Sequence, residues 1–346
     1  MGAACSWNTS GPRPPRFSAH SVAGEHDREI RSRWMQMLHR VATVAANSYR
    51  ESVRARVLHG LFGLAVATAG YAMVVGAYAL RDTLRVVSDL GAASVSIYGI
   101  IVAVVVGATS LFREIELKTI FPILARPIRR WEYLIGKFLG TVITLAVFIL
   151  ANTGVLQSAI AVLSGRSVWM VVSVWLVSFA MLGAIMRWIP QYRTFALVPW
   201  ALFVFAASWW LGLTAPEDTQ VLAASATLAF CEVAIVTAIA LVFASFSSPF
   251  LTALLTFGLV VVGRSADSLM HLPVRVFGSA LTKIAALIGK AVPNLMIYLP
   301  PRGLLIGEVS GVSVAGYVAR SGMYALAWCA ALLISAAVIF NRRDFQ

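Results

Sequence analysis

The sequence predicts an all-α, polytopic membrane protein: a bundle of about eight transmembrane helices, edged at its N-terminal side by an amphipathic helix. Three observations predict it. The 346 residues are 59% hydrophobic and only 12% charged, roughly half the charged share of an ordinary soluble domain. The apolar residues fall in blocks of roughly 20, the length a helix needs to cross about 30 Å of hydrocarbon. The basic residues behind the net charge of +13 gather at the ends of those blocks, as at Arg126, Arg129, Arg130, Arg342 and Arg343. Cations at block ends are membrane flanks, and a nucleic-acid partner is not expected from that distribution.

Residues 1–32 carry Pro12, Pro14 and Pro15 followed by the mixed charges Glu25, Asp27, Arg28, Glu29 and Arg31, with almost nothing to bury, and are expected to form a disordered tail. Residues 33–56 change character. Trp34, Met37, Leu38, Val41, Ala45 and Tyr49 recur at helical steps on one side, with Arg40, Asn47, Arg50 and Arg54 on the other. That pattern predicts a helix lying in the membrane interface, cations toward lipid headgroups.

The remaining chain, 57–346, reads as one transmembrane domain with spans near 58–80, 93–112, 137–163, 168–186, 194–213, 221–246, 249–263 and 318–340. Each must be helical, because hydrocarbon offers no partner for an unpaired backbone group. The seventh is the shortest. Residues 264–317 are apolar over 276–299 but carry Lys283 and Lys290 on one helix face and are interrupted by Pro293 and Pro300. They are expected to form amphipathic or re-entrant helices at the outer surface, since a ninth crossing would export Arg342 and Arg343.

Loop charges set the orientation. The 113–136 loop is rich in Arg and Lys and should be cytoplasmic; 214–220 has none and carries Glu217 and Asp218. Both termini then lie in the cytoplasm. The expected location is the bacterial cell (inner) membrane; the excess of arginine over lysine suggests a high-G+C bacterial source, and nothing else rests on that excess.

Groups for chemistry are scarce. The five histidines lie in the tail, the interfacial helix and loops, and no residue pattern has metal-ligand spacing. No GxxxxGK[ST] phosphate loop occurs, so energised work requires a partner or an ion gradient. Glu232 is the one carboxylate inside a span, where a charge costs on the order of 3 kcal/mol and must face a polar partner or water. It is read either as a contact on a translocation route or as a hydrogen-bonded structural group. Asp82 and Asp89 flank the first outer loop and could mimic an acid pair, solvated loop charges being the alternative. A membrane enzyme acting on a lipid-linked substrate through Glu232 or these aspartates stays open as an alternative.

The most distinctive stretch is the cytoplasmic loop: Arg113-Glu-Ile-Glu-Leu-Lys-Thr119, then Ile120 to Pro127, then Ile128 to Lys137. It exceeds what a mere connector needs and has the mixed surface of a docking element. The run resembles the E-x-E-x-[KR]-T, L-A-[KR]-P and G-K signature of ABC-2 type transporter permeases, in particular the multicopper-enzyme-maturation and gliding-motility branch. Asn47 to Glu51 with Arg54 resembles the family's elbow helix, Asp89-Leu-Gly91 the approach to its second span, Pro293-Asn294-Leu295 its outer segment, and Phe340 to Phe345 its C-terminal end.

The resemblance implies a translocation subunit that couples ATP hydrolysis on a separate ABC ATPase to export or mechanical work. It has no cofactor of its own, ATP and Mg being held by the partner. The coupling helix would carry Glu114, Glu116, Lys118, Thr119, Phe121, Leu124, Arg126, Pro127, Arg130 and Trp131, and the elbow Arg50, Glu51 and Arg54. Pro293 and Asn294 would mark the outer segment. A second permease copy, membrane lipid and an extracytoplasmic protein are the further partners it admits. The family usually has six spans, so 168–186 and 194–213 would be an added pair.

Overall fold

The computed structural model describes residues 19–79, 82–116, 129–189, 191, 193–308, 311 and 313–342, giving the backbone alone for 19–33 and 110–116. The chain divides into two units, residues up to Arg40 and residues from Val41 onward, and the second is the helix bundle. Among the described residues all regular structure is helical.

Helix α1 runs Ala19–Val53. It starts inside the stretch expected to be an unstructured tail; beyond Pro15 no proline interrupts it, and Asp27/Arg31 and Glu29/Arg33 stand at the four-residue spacing that supports a helix. The bundle follows as α2 Arg56–Tyr78, α3 Thr83–Glu116, α4 Arg130–Leu163, α5 Val168–Trp188, α6 Leu197–Leu211, α7 Pro216–Ala244, α8 Pro249–Arg264, α9 Ala266–Met270, α10 Val274–Ala291, α11 Arg302–Leu305 and α12 Val314–Arg342. Seven of these are long and apolar enough to cross a membrane: α2, α3, α4, α5, α6 with its following turn, α7 and α12. The sixteen residues of α8 rise only about 24 Å.

Helix ends lie where local chemistry puts them, outside the apolar blocks. Helix α4 starts seven residues before its expected edge, because the Glu132 carboxylate accepts from the backbone N–H of Arg129 and closes a capping box. Pro216, with Glu217 and Asp218 in the first turn, starts α7. Helix α3 extends back to Thr83, so the first outer loop is shorter than hydropathy indicated and Asp89 is helical.

The most extensive packing is between α3 and α7, with α4 alongside. Small residues set the spacing: a Cβ added to Gly107 would stand 2.6 Å from the Ala240 Cβ, and one on Gly154 would stand 2.6 Å from Val204 of α6. The added pair α5 and α6 rests on α4. Leu64 and Val74 of α2, Trp169 and Leu176 of α5, Phe250 and Leu254 of α8, and Leu326 and Ile334 of α12 are exposed, an apolar exterior that suits hydrocarbon.

Residues 264–299 make an excursion that returns to its starting level. A Cβ on Gly289, near the end of α10, would stand 3.0 Å from the Ala266 carbonyl oxygen; one on Gly263 would stand 2.9 Å from that of Pro293. The chain leaves α8, turns at 271–273 and comes back beside Gly263 by the end of α10. Helix α10 presents Leu281, Ile284, Leu287 and Ile288 outward, beside exposed Lys283 and Lys290.

Candidate functional site

Two ends of the bundle and one interior position hold the charged chemistry. At the first end, α1 docks on the start of α4. Gly136 and Gly140 make the approach possible: a Cβ on Gly140 would stand 2.4 Å from the Ala45 carbonyl oxygen, and one on Gly136 would stand 2.7 Å from the Val44 Cβ. Val41, Ala45 and Tyr49, from the apolar side expected to face lipid, are buried against the bundle, as is Val53; Trp34 and Leu38 of that side are exposed. The Ser48 hydroxyl donates to the Lys137 carbonyl (3.4 Å), and Lys137 Nζ lies 3.8 Å from Glu51 Oε2. The resemblance drew attention to Glu51 and to the Gly136-Lys137 pair separately; the fold brings them together.

Tyr49 and Arg50 continue this contact onto the α5–α6 connection. The Tyr49 hydroxyl donates to the Thr194 carbonyl at 3.1 Å, its ring stacks on Phe195, and the Arg50 guanidinium lies 5.0 Å from the Phe195 ring centroid. Burial pushes the Tyr49 phenol up to about 12, so it stays a donor at any physiological pH. Arg54 is exposed. On the other side of α4, Arg130 Nη1 donates to the carbonyls of Phe340 (3.0 Å) and Asn341 (3.1 Å) at the end of α12, and Tyr133 stacks on Phe340. Those carbonyls close a helix C-terminus, where a cation is favoured. Trp131 is partly exposed in the same first turn. Glu114 and Glu116 end α3, their side chains beyond the description. Lys118, Thr119, Phe121, Leu124, Arg126 and Pro127 lie outside the described residues.

In the interior, Glu232 of α7 is wholly buried and bound on both oxygens. Arg264, the last residue of α8, donates from Nε to Oε1 (2.9 Å) and from Nη2 to Oε2 (3.1 Å). Ser96 of α3 donates to Oε2 at 2.8 Å, and its oxygen lies 2.6 Å from Arg264 Nη2. A forked guanidinium on a carboxylate is the strong form of this interaction. Donors from α3 and α8 thereby engage both carboxylate oxygens. The sequence marked Glu232 but not Arg264, which looks like an ordinary basic flank at the end of a block.

At the second end, Arg302 of α11 reaches α3 and α7 at once. Its Nη1 donates to Asp89 Oδ1 (2.6 Å) and Ser88 Oγ (2.7 Å), and its Nη2 to Asp218 Oδ1. Burial works against the guanidinium charge, but the hydrogen bonds it donates to Asp218 and Asp89 outweigh it and the pKa is raised. Pro293 and Asn294 begin the segment that carries Arg302. The Asn294 N–H donates to the Tyr324 hydroxyl (2.9 Å), its Oδ1 caps the turn Leu295–Tyr298, and the Tyr298 hydroxyl donates to the Ser321 carbonyl. Nothing in the sequence distinguished Arg302 from other loop cations.

The family model described as ABC-2 family transporter protein matches residues 42–345. The chain belongs to the ABC-2 transporter family. A search of the curated proteins found no match. The matched range covers the whole bundle together with the docked half of α1. All three charged clusters lie within the matched range, and the chain is a multi-pass ABC transporter permease.

Proposed function

We propose that this ABC-2 permease is the translocation subunit of a bacterial cell-membrane transporter, driven by a separate ABC ATPase that seats on residues 114–131. The observation that carries the reading is the clamp around the start of α4. Arg130 joins it to the end of α12, and Gly136, Gly140 and Lys137 join it to α1. A push on the chain between α3 and α4 would reach all these helices together. Apolar Ile120, Phe121 and Leu124 would seat the loop in the ATPase, and Arg126 and Arg129 would meet acidic rims that fix its orientation. Hydrolysis, with its ATP and Mg, stays on the partner.

Charge supports a cytoplasmic clamp. The end it occupies carries Arg50, Arg54, Arg129, Arg130, Lys137, Arg187, Arg193 and Arg342, while the opposite end carries fewer cations, among them Arg85, Arg166 and Arg302, beside Asp82, Asp89, Glu217, Asp218 and Glu308. Both termini are then cytoplasmic. Two copies would pair in the membrane, and an extracytoplasmic protein would meet the acidic end.

Arg130 already serves the α12 carbonyls, so Arg126 is the cleaner probe of coupling. Arg126→Glu is expected to lower the stimulation of ATP hydrolysis that the reconstituted permease gives its ATPase at least tenfold, while the permease alone keeps its thermal stability. Full stimulation in that variant would refute this docking surface.

A further inference from the structure

Helix α10 divides into three faces. Side chains on a helix fall about 100° apart, which sets Ala285 and Gly289 on one face, Leu281, Ile284 and Ile288 on a second, and Lys283 and Lys290 on a third. The first face packs on the bundle: Ala285 and Gly289 are buried, and a Cβ on Gly289 would stand 2.8 Å from the Met270 side chain of α9. The second is bare. Leu281, Ile284 and, at its edge, Leu287 are 51%, 56% and 69% exposed, and contiguous apolar surface of that kind marks an interaction site. The third carries charge of one sign. Helix α10 holds Arg275, Lys283 and Lys290 and no acid, and all three cations are exposed. Arg320 of α12 adds a fourth exposed cation, one turn from Tyr324, whose hydroxyl takes the N–H of Asn294 just beyond α10. Among the described residues none of the four forms an ion pair.

Depth decides what covers the bare face. The sixteen residues of α8 rise only about 24 Å, less than the roughly 30 Å of hydrocarbon. The detour therefore leaves the bundle no higher than the outer headgroups, and Gly289 and Pro293 return to that level beside Ala266 and Gly263. Water around α10 would leave its apolar face unburied. A second copy meeting that face across a two-fold axis would bring the flanking lysines toward their own counterparts, like charge against like. The outer leaflet suits both faces: acyl chains cover the apolar side chains, and the lysine stems carry their ammonium groups up to the phosphates. Four cations with no acid among them favour a headgroup of net negative charge over a zwitterion.

We propose that α10 is a seat for anionic phospholipid of the outer leaflet, with phosphates on Lys283, Lys290 and Arg320 and acyl chains along Leu281, Ile284 and Ile288. The seat holds the detour at a fixed depth in the membrane. Pro293 and Asn294 follow α10 directly, so the same lipid sets the level of the outer segment that Asn294 and Tyr298 pin to α12.

The test needs neither ATPase nor cargo. Ile284→Cys is placed in a background with Cys5, Cys231 and Cys329 replaced by alanine, labelled with a fluorophore, and put into nanodiscs of phosphatidylcholine and phosphatidylglycerol in equal amounts. A quenching nitroxide is carried on the acyl chain of one lipid or of the other. Nitroxide on the phosphatidylglycerol should quench the label at least twofold more than nitroxide on the phosphatidylcholine. Leu64→Cys, on the outward apolar face of α2, should be quenched alike by both. Lys283→Gln combined with Lys290→Gln and Arg320→Gln should bring the ratio at Ile284→Cys down to that at Leu64→Cys; these side chains are exposed and outside any ion pair, so their loss leaves the packing in place. If the triple variant does not accumulate, Lys283→Gln or Lys290→Gln alone should give an intermediate ratio. Equal ratios at Ile284→Cys and Leu64→Cys with all cations present overturn the proposal, as does a preference that survives every substitution made. Absence of quenching by either lipid overturns it too, and would place a second copy or water on that face.

Discussion

Glu232 has no exposed atom, whereas the side chain of its partner Arg264 is 26% exposed, and the two halves of the pair therefore respond differently to deletion. Arg264→Met leaves a carboxylate buried in the bundle with one serine donor, so it should cost the full penalty of a broken buried pair, about 3–5 kcal/mol. Glu232→Gln leaves a guanidinium that water can still reach and that Gln Oε1 can still accept from, so its cost should be smaller. Glu232→Leu combined with Arg264→Met should recover most of the loss, because two apolar side chains need no compensation. Thermal unfolding of the four proteins in detergent checks the order; equal losses in the two single variants would contradict it. Glu232 was legible in the sequence as a lone acid in an apolar block. Its partner was not, because Arg264 lies 32 residues away at a block end, where cations are expected in any membrane protein. The same holds for Arg302: pairings between residues far apart in the chain leave no periodic signal.

The junction of α1 with α4 turns on backbone approach, so glycine substitutions separate its energetics from charge. A Cβ at Gly140 would meet the backbone of Ala45 at 2.4 Å, and backbone cannot yield as a side-chain tip can. Gly140→Ala is therefore expected to destabilise by about 1–3 kcal/mol, the usual range for overpacking. It should also raise the labelling rate of Ser48→Cys, now buried under the contact. Gly70→Ala on α2, where an added Cβ meets nothing within 4 Å, should be neutral or stabilising, since alanine is the better helix former by about 1 kcal/mol. Matching thermal shifts for the two variants would mean that α1 does not dock as described. The helical period of α1 was plain from residue 34 onward, and so was the polarity of its faces. What covers the apolar face was not, because periodicity shows that a face is apolar and is silent on whether lipid or protein meets it. Two glycines at four-residue spacing, Gly136 and Gly140, were the available signal for a second helix.

Span number follows from block length, which is why the bundle was readable from hydropathy to within one helix, and helix ends were not. A capping box extends α4, and α3 likewise runs well beyond its apolar block, which hydropathy does not register. The stretch 276–299 was the ambiguous one, apolar enough to cross yet carrying two lysines. Its meeting of ends, with Gly263 against Pro293 and Gly289 against Ala266, makes it a detour on one side of the bundle. It follows that α8 and α12 deliver the chain to and from the same end, and that the clamp at Arg130 and the end of α12 share the opposite one. Impermeant thiol labelling in intact cells distinguishes the possibilities. A cysteine at His271, at the exposed tip of the detour, should be labelled, and cysteines at Arg193 and Arg342 should be protected until the cells are opened. A ninth crossing would instead place His271 and Arg342 on the outer side together. Labelling of Arg342→Cys in intact cells would then break the link between α4, α12 and a cytoplasmic ATPase, because the Arg130 contact holds the two helix ends at one surface.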